Sequence, residues 1–287
     1  MFSEENFEQN IIPTELKNVS VKEIEIPSHD GTMVPLSIIQ SNNIKLDGNN
    51  RVLMTGYGAY GISDNPYMDR FLLNWINTGG VYVIAHVRGG GEKGDSWHKS
   101  GFKTTKPNTW KDFIACTEYL IKKKYTSPKK LAIWSGSAGG IMIGRAITER
   151  PELYKAAIIR VGLLNTLRSE FAPNGKNNVK EFGTVNDSIE FKALYKMDAY
   201  HNIKNGVKYP ALMLTAGMND ARVAAWQPAK FAARLQNATN SVNPILLSVD
   251  FEGGHGFEAE KNKRNKETAN ILSFALWQTG HPDYQPK

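Results

Sequence analysis

LAIWSGSAGGIMIG, Leu131 to Gly144, is the stretch that decides how this chain folds. Leu131, Ala132, Ile133 and Trp134 form a short apolar run that predicts a buried strand. The small residues of SGSAGG predict a tight turn, and IMIGRAITER continues with the character of a helix. Strand, sharp turn and helix around a serine make a nucleophile elbow. Such a turn raises the Ser137 hydroxyl above the sheet and aims the free N–H groups of the helix start at charge forming beside it. The usual pattern is G-x-S-x-G, whereas Ser135 takes the first glycine position here, giving S-x-S-x-G. Ser135 is the competing nucleophile, yet Ser137 alone has glycines at the following positions that the elbow requires.

Working outward, the flanking segments alternate between strand and helix patterns. VKEIEIP alternates apolar and polar residues from Val21, SHDGT reads as a turn, and MVPLSIIQ reads as a second strand, so a hairpin is expected. RVLMTGYGAYG starts as a buried strand and ends in a Gly/Tyr loop. MDRFLLNWINTGG, from Met68, is an amphipathic helix pattern that stops at Gly79 and Gly80. VYVIAHVRGGGEKG is a strand followed by a glycine-rich loop, and a helix is expected from Trp110 to Lys124. After the elbow, AAIIRVGLLN, YPALMLTAG and PILLSVDFEGGHG read as strands, while WQPAKFAARLQ and KETANILSFALWQTG read as helices. Residues 166 to 206 scatter Pro, Asn and Gly and read as an irregular pocket wall. Continuous apolar strands separated by helices imply an α/β fold with a mostly parallel sheet covered on both faces. Residues 1–19 read as a polar leader or linker and 20–287 as one domain.

Composition narrows the function classes. With 41% hydrophobic residues and 6 Trp, the chain can bury a sizeable core. No apolar run approaches the roughly 18 residues a membrane helix needs, so no membrane partner is expected. MFSEENFEQN is too acidic for a signal peptide, which points to the cytoplasm unless a signal has been removed. The single cysteine, Cys116, has no partner for an internal disulfide and reads as a small core residue. The net charge of +7 gathers mildly in KKKYTSPKK and KNKRNK. These runs carry Tyr125 alone among aromatics, so they read as solvated helix ends rather than a nucleic-acid surface. His86, Glu92, Asp95 and His98 lie close in sequence but match no metal-ligand spacing, and RGGGEKG lacks the G-K-[ST] of a phosphate loop. No metal or cofactor is expected.

In a parallel sheet the reactive groups sit on loops at the carboxyl ends of strands. With a nucleophile elbow, the expected chain order is serine, acid, histidine. After Ser137, the loop MNDARV offers Asp220 and the loop FEGGHGF offers His255. A serine hydroxyl attacks only when a neutral imidazole takes its proton, and the imidazole needs a carboxylate to fix its tautomer. Of the six histidines, His255 alone is flanked by glycines at the right place in the order. Asp250 is the rival acid, but its place at the end of the last strand, five residues before His255, suits a structural bond better.

GYGAYG, HVRGGGEKGDSWH, WSGSAGG, ERPELYKAAI, MNDARV and GGHG together resemble the catalytic domain of the prolyl oligopeptidase family of serine peptidases, from about Val19 to Gly280. The resemblance implies an α/β-hydrolase fold and the triad Ser137, Asp220 and His255. It also implies an oxyanion hole made by the Tyr57 hydroxyl and the Ala138 N–H. Arg222 matches an arginine that binds a substrate carbonyl, and Tyr60 matches an aromatic wall of the pocket for the residue before the scissile bond. Prolyl-specific members carry a tryptophan where this chain has Asn178 or a neighbour, and oligopeptidase B carries two acids where it has Asn178 and Lys180, which leaves Glu181 without an acidic mate. Neither strict proline nor strict basic preference is therefore expected. Full members also carry an N-terminal β-propeller, which these residues do not include, so the chain reads as a truncated or stand-alone hydrolase. The expected activity is cleavage of short peptides through an acyl-enzyme. A carboxylesterase of the same fold and an inactive domain are the alternatives. Losing a propeller would bare apolar surface, so self-association into a homo-oligomer is also expected.

Overall fold

The computed structural model describes residues 17–67, 70–256 and 260–286. Eight strands form one sheet: β1 (Val19–Pro27), β2 (Met33–Ser41), β3 (Val52–Thr55), β4 (Val81–Ala85), β5 (Leu131–Gly136), β6 (Ala156–Arg160), β7 (Ala211–Gly217) and β8 (Ile245–Asp250). Their spatial order is β1-β2-β4-β3-β5-β6-β7-β8. The expected hairpin is present: β1 pairs antiparallel with β2 from Val19↔Ser41 to Pro27↔Met33. Strand β2 is also antiparallel to β4, and every later pairing is parallel. The sheet is thus mostly parallel with an antiparallel start, as in α/β-hydrolases.

Alternation along each strand feeds two separate cores. Val52 and Met54, Leu131 and Ile133, Ala157 and Ile159, and Leu212 and Leu214 face one side. Leu53, Ala132, Ala156 and Ile158, and Ala211 and Met213 face the other. Successive side chains must point to opposite faces of a strand, so a strand covered on both sides reads as unbroken apolar sequence. The first core is closed by helices α3 (Pro107–Lys122), α4 (Gly139–Glu149) and α7 (Trp226–Ala238), through residues such as Phe113, Ile143 and Phe231. The second is closed by α1 (Arg70–Asn77) and α8 (Lys261–Gln278), through Trp75, Ile271 and Phe274. Helix α1 ends at the paired glycines: Gly79, at φ 78°, donates to Ile76 O, and Gly80 donates to Trp75 O.

Three readings need adjustment. The stretch 166–206 is not irregular: it holds a 3-10 turn at Thr166–Phe171 and helices α5 (Gly175–Phe182) and α6 (Ser188–Met197). These helices are 8 and 10 residues long and gain their stability from packing rather than from propensity, so no long periodic pattern announces them. The glycine-rich loop after β4 gives way to a single turn, α2 (Asp95–Lys99), and α8 begins at Lys261, inside the basic run KNKRNK. The proposed leader lies outside the described residues up to position 16, as do Met68 and Asp69 of the first helix pattern. Among the described residues, no helix is long and apolar enough to cross a membrane.

Candidate active site

The loops after β3, β5, β7 and β8 meet at the carboxyl edge of the parallel strands, beside the N-terminus of α4. Ser137 sits directly after β5 at φ 53°, a left-handed backbone that a non-glycine residue adopts only when its surroundings enforce it. Here they do. The Ser137 N–H donates to Arg160 O at 2.8 Å, and its carbonyl accepts from Gly140 N at 3.0 Å and Leu163 N at 2.8 Å. A side chain at Gly140 would press on the backbone of Gly162 and Leu163, so the crossing of α4 over the turn requires glycine there. Ser135 is buried, and its hydroxyl donates to Gly56 O at 2.7 Å. The rival nucleophile is therefore occupied in tying the elbow to the loop after β3.

The structure brings Ser137, His255 and Asp220 into one hydrogen-bonded line. His255 Nε2 lies 2.9 Å from Ser137 Oγ, and His255 Nδ1 lies 2.7 Å from Asp220 Oδ2. The other Asp220 oxygen accepts from the backbone N–H groups of Arg222 (2.8 Å) and Val223 (2.9 Å), which fixes the carboxylate in its plane. Burial pushes the Asp220 carboxyl up, but the imidazole and the two N–H donors outweigh it and hold it below the ordinary carboxylate range. Asp250, the rival acid, points away: its side chain meets Lys263 at 2.8 Å and is partly exposed. A carboxylate holding Nδ1–H leaves Nε2 free to accept the serine proton, the requirement for an activated hydroxyl.

Tyr57 and Ala138 also converge here. The Tyr57 hydroxyl meets the Ser137 side chain and the Ala138 N–H. Burial raises the phenol above its ordinary value, so it stays protonated and can donate. Arg222 is exposed at the rim, and its charge reaches Tyr57. Tyr60, at φ 58°, has its ring edge-on to Phe182 at 5.5 Å, and its hydroxyl donates to Asn178 Oδ1 at 3.4 Å. Asn178 is buried and donates to Ser169 O at 3.2 Å, so it lies beneath Tyr60 rather than opening into the pocket.

Two further groups lie near the site. Glu181 accepts from Tyr60 N at 2.7 Å and meets His98 Nε2 at 3.0 Å. Lys106 is 1% exposed and donates to the Gly58 carbonyl. The family resemblance drew attention to Glu181 as an acid without a mate, and nothing in the sequence pointed to Lys106. The other sequence candidates stay apart. His86 bonds Ser37 Oγ at 2.6 Å, and Cys116 is fully buried with its thiol pushed well up by burial, an inert state. The glycine-rich loop does turn beside the site, with Gly61 N donating to Gly89 O at 3.1 Å.

Comparison with known proteins identifies the family of the chain. The model of the prolyl oligopeptidase family matches residues 67–282. Prolyl endopeptidase from Elizabethkingia meningoseptica is 36% identical over 265 residues, which is 92% of this chain and 38% of that protein. Dipeptidyl aminopeptidase BI from Pseudoxanthomonas mexicana is 31% identical over 258 residues, 88% of this chain and 36% of its own. A prolyl endopeptidase structure superposes with a TM-score of 0.90 at 36% identity, covering 96% of this chain and 40% of that one. Oligopeptidase B from Trypanosoma brucei, solved with covalently bound antipain, superposes at 0.88 and 34% identity, covering 92% of this chain and 38% of its own. The chain thus spans well under half the length of these relatives. Matched across its sheet, its elbow and its loops, the chain belongs to the prolyl oligopeptidase family of peptidases and comprises an α/β-hydrolase domain of that family.

Proposed function

We propose that this domain is a serine peptidase that cleaves short peptides through an acyl-enzyme. The observation that carries the reading is the unbroken line from Ser137 Oγ through His255 to Asp220, with contacts of 2.9 and 2.7 Å. His255 Nε2 takes the Ser137 proton as Oγ attacks the peptide carbonyl carbon. The carbonyl oxygen becomes an oxyanion, received by the Tyr57 hydroxyl and the Ala138 N–H, each worth on the order of 3 kcal/mol in such a hole. Collapse breaks the C–N bond, and the imidazolium gives its proton to the leaving amine. Water then repeats the sequence on the ester and frees Ser137. Asp220 keeps Nδ1 protonated and offsets the imidazolium charge.

Arg222 is placed to bind a substrate carbonyl at the rim, which favours a peptide backbone over a simple ester. The residue before the scissile bond would lie against Tyr60, whose ring is backed by the buried Phe182. By the family resemblance Asn178 takes the place of the tryptophan of proline-specific members, but it is buried beneath Tyr60 and offers no stacking face, and Glu181 commits its oxygens to Tyr60 and His98. We therefore expect tolerance of uncharged residues there rather than strict proline or basic preference. The test is fluorophosphonate labelling read by mass spectrometry, beside turnover of matched peptide and ester substrates. One adduct on Ser137, lost in Ser137→Ala, with peptide turnover supports the reading. Labelling with ester turnover alone would move the assignment to an esterase, and a folded protein that takes no label would sink it.

A further inference from the structure

Lys106 is hard to explain as a packing residue. Its ammonium is nearly inaccessible, and no carboxylate pairs with it among the described residues. It stands at the start of α3, the positive end of the helix dipole, with no acid in the first turn to offset it. A buried cation in such a place is costly unless something charged or strongly polar holds it. Its acceptor is the carbonyl of Gly58, the residue that follows Tyr57, and its charge lies 5.4 Å from the centre of the Phe182 ring. Next to Phe182 comes Glu181, equally buried, whose carboxylate accepts the N–H of Tyr60 at 2.7 Å. The loop from Tyr57 to Tyr60 is therefore gripped twice: by a cation on the carbonyl of Gly58 and by an anion on the N–H of Tyr60.

The grip matters because this loop has no regular ladder to define it. Gly58, Tyr60 and Gly61 all have positive φ, at 66°, 58° and 63°. A side chain at Gly58 would press on Thr109 and Val87, so the turn is squeezed from outside as well. A hydroxyl that must meet a developing oxyanion works only if it is held in place before the charge appears. We propose that Lys106 and Glu181 are positioning residues for the oxyanion hole, fixing the Gly58–Tyr60 backbone so that the Tyr57 hydroxyl stays aimed at Ser137. This rests on the peptidase reading of the site. Burial lowers the Lys106 ammonium to about 8, with Glu181 partly opposing the shift. The ionisable groups around it are Glu181, the His98 imidazole paired with that acid, and the Tyr57 and Tyr60 phenols. Raising the pH through about 8 removes the cation from the clamp, so kcat should fall on the alkaline side.

The test is a kinetic and pH comparison of the parent with Lys106→Met and Glu181→Met on a chromogenic short peptide, with a thermal melt for each. Methionine keeps the apolar volume but takes the donor from the Gly58 carbonyl, and a buried acceptor left without a partner lowers stability, which the melt records beside the kinetics. The expected result is a fall in kcat of about 10- to 100-fold with KM little changed, short of the loss from deleting an oxyanion donor outright. In Lys106→Met the alkaline limb near pH 8 should also vanish. A folded Lys106→Met with parental kcat, or with that limb intact, would overturn the proposal. If this variant does not fold, Glu181→Met, which removes the acceptor for the Tyr60 N–H, decides: reduced kcat at constant KM supports the clamp, and parental kcat rejects it. A parent protein that neither labels nor turns over peptide would instead remove the reading beneath the clamp, and the clamp with it.

Discussion

Asp250 ends β8 and Asp220 lies in the loop just past the end of the neighbouring β7, yet the turns they head hold their carboxylates almost identically. Asp220 Oδ1 accepts from the N–H groups two and three residues ahead, at 2.8 and 2.9 Å. Asp250 Oδ1 does the same, at 3.1 and 2.9 Å. What separates them is the second oxygen. In Asp220 it lies under His255, in a side chain with 0% exposure. In Asp250 it lies near Lys263, in a side chain with 36% exposure. The same local turn thus serves as one arm of a proton relay in one place and as a solvated brace in the other. Local conformation presents a carboxylate, while burial and the partner decide its chemistry.

That contrast can be broken most directly by exchanging acid for amide. Asp220→Asn should lower kcat by roughly 10⁴-fold without unfolding the protein, because the amide no longer fixes the imidazole tautomer. Adding Lys263→Met to that variant, which frees Asp250, should restore nothing; recovery of activity would mean that the two acids are interchangeable. The next effect is on stability in acid. Both carboxyls are held below their ordinary range, Asp220 despite its burial and Asp250 chiefly by Lys263. A depressed carboxyl adds stability above the ordinary carboxylate range and loses it as the pH falls through the lower folded value. Melts recorded from neutral pH into acid should therefore flatten in Asp220→Asn. They should flatten less in Asp250→Asn, and that smaller change should shrink further in salt, because Asp250 and Lys263 are open to solvent. Smallest of all, Asp250→Asn should leave kcat within about twofold of the parent, as expected for an exposed ion pair. A larger loss would show that the Asp250–Lys263 brace helps place the loop carrying His255.

Much of this architecture was legible in the chain. The strands were readable because parallel strands buried on both faces leave unbroken apolar runs, as in ALMLTAG. The elbow was readable because Gly140 has no room for a side chain, a restriction that leaves a direct trace in the sequence. Asp220 could be preferred over Asp250 only by loop position, since both head the same kind of turn. Lys106 was out of reach, and Glu181 stood out only through the family resemblance, with no sign of what it holds. Their meaning lies in what they touch, and their partners are backbone atoms of Gly58 and Tyr60, which any sequence would supply. Helices α5 and α6 escaped for a related reason, being short and held by contacts with segments distant in sequence.

The serine at the first position of the elbow carries a lesson about the motif itself. Any side chain at Gly139 would occupy the place where the Ser135 hydroxyl now sits, bonded to Gly56. The two positions therefore share one small volume, and a gain of atoms at one end is tolerated only while the other stays bare. In a protein of this kind S-x-S-x-G and G-x-S-x-G are alternative fillings of the same space rather than a strict form and its erosion. The first position can also do work that glycine cannot, by stitching the elbow to the strand-end loop from which Tyr57 reaches the serine.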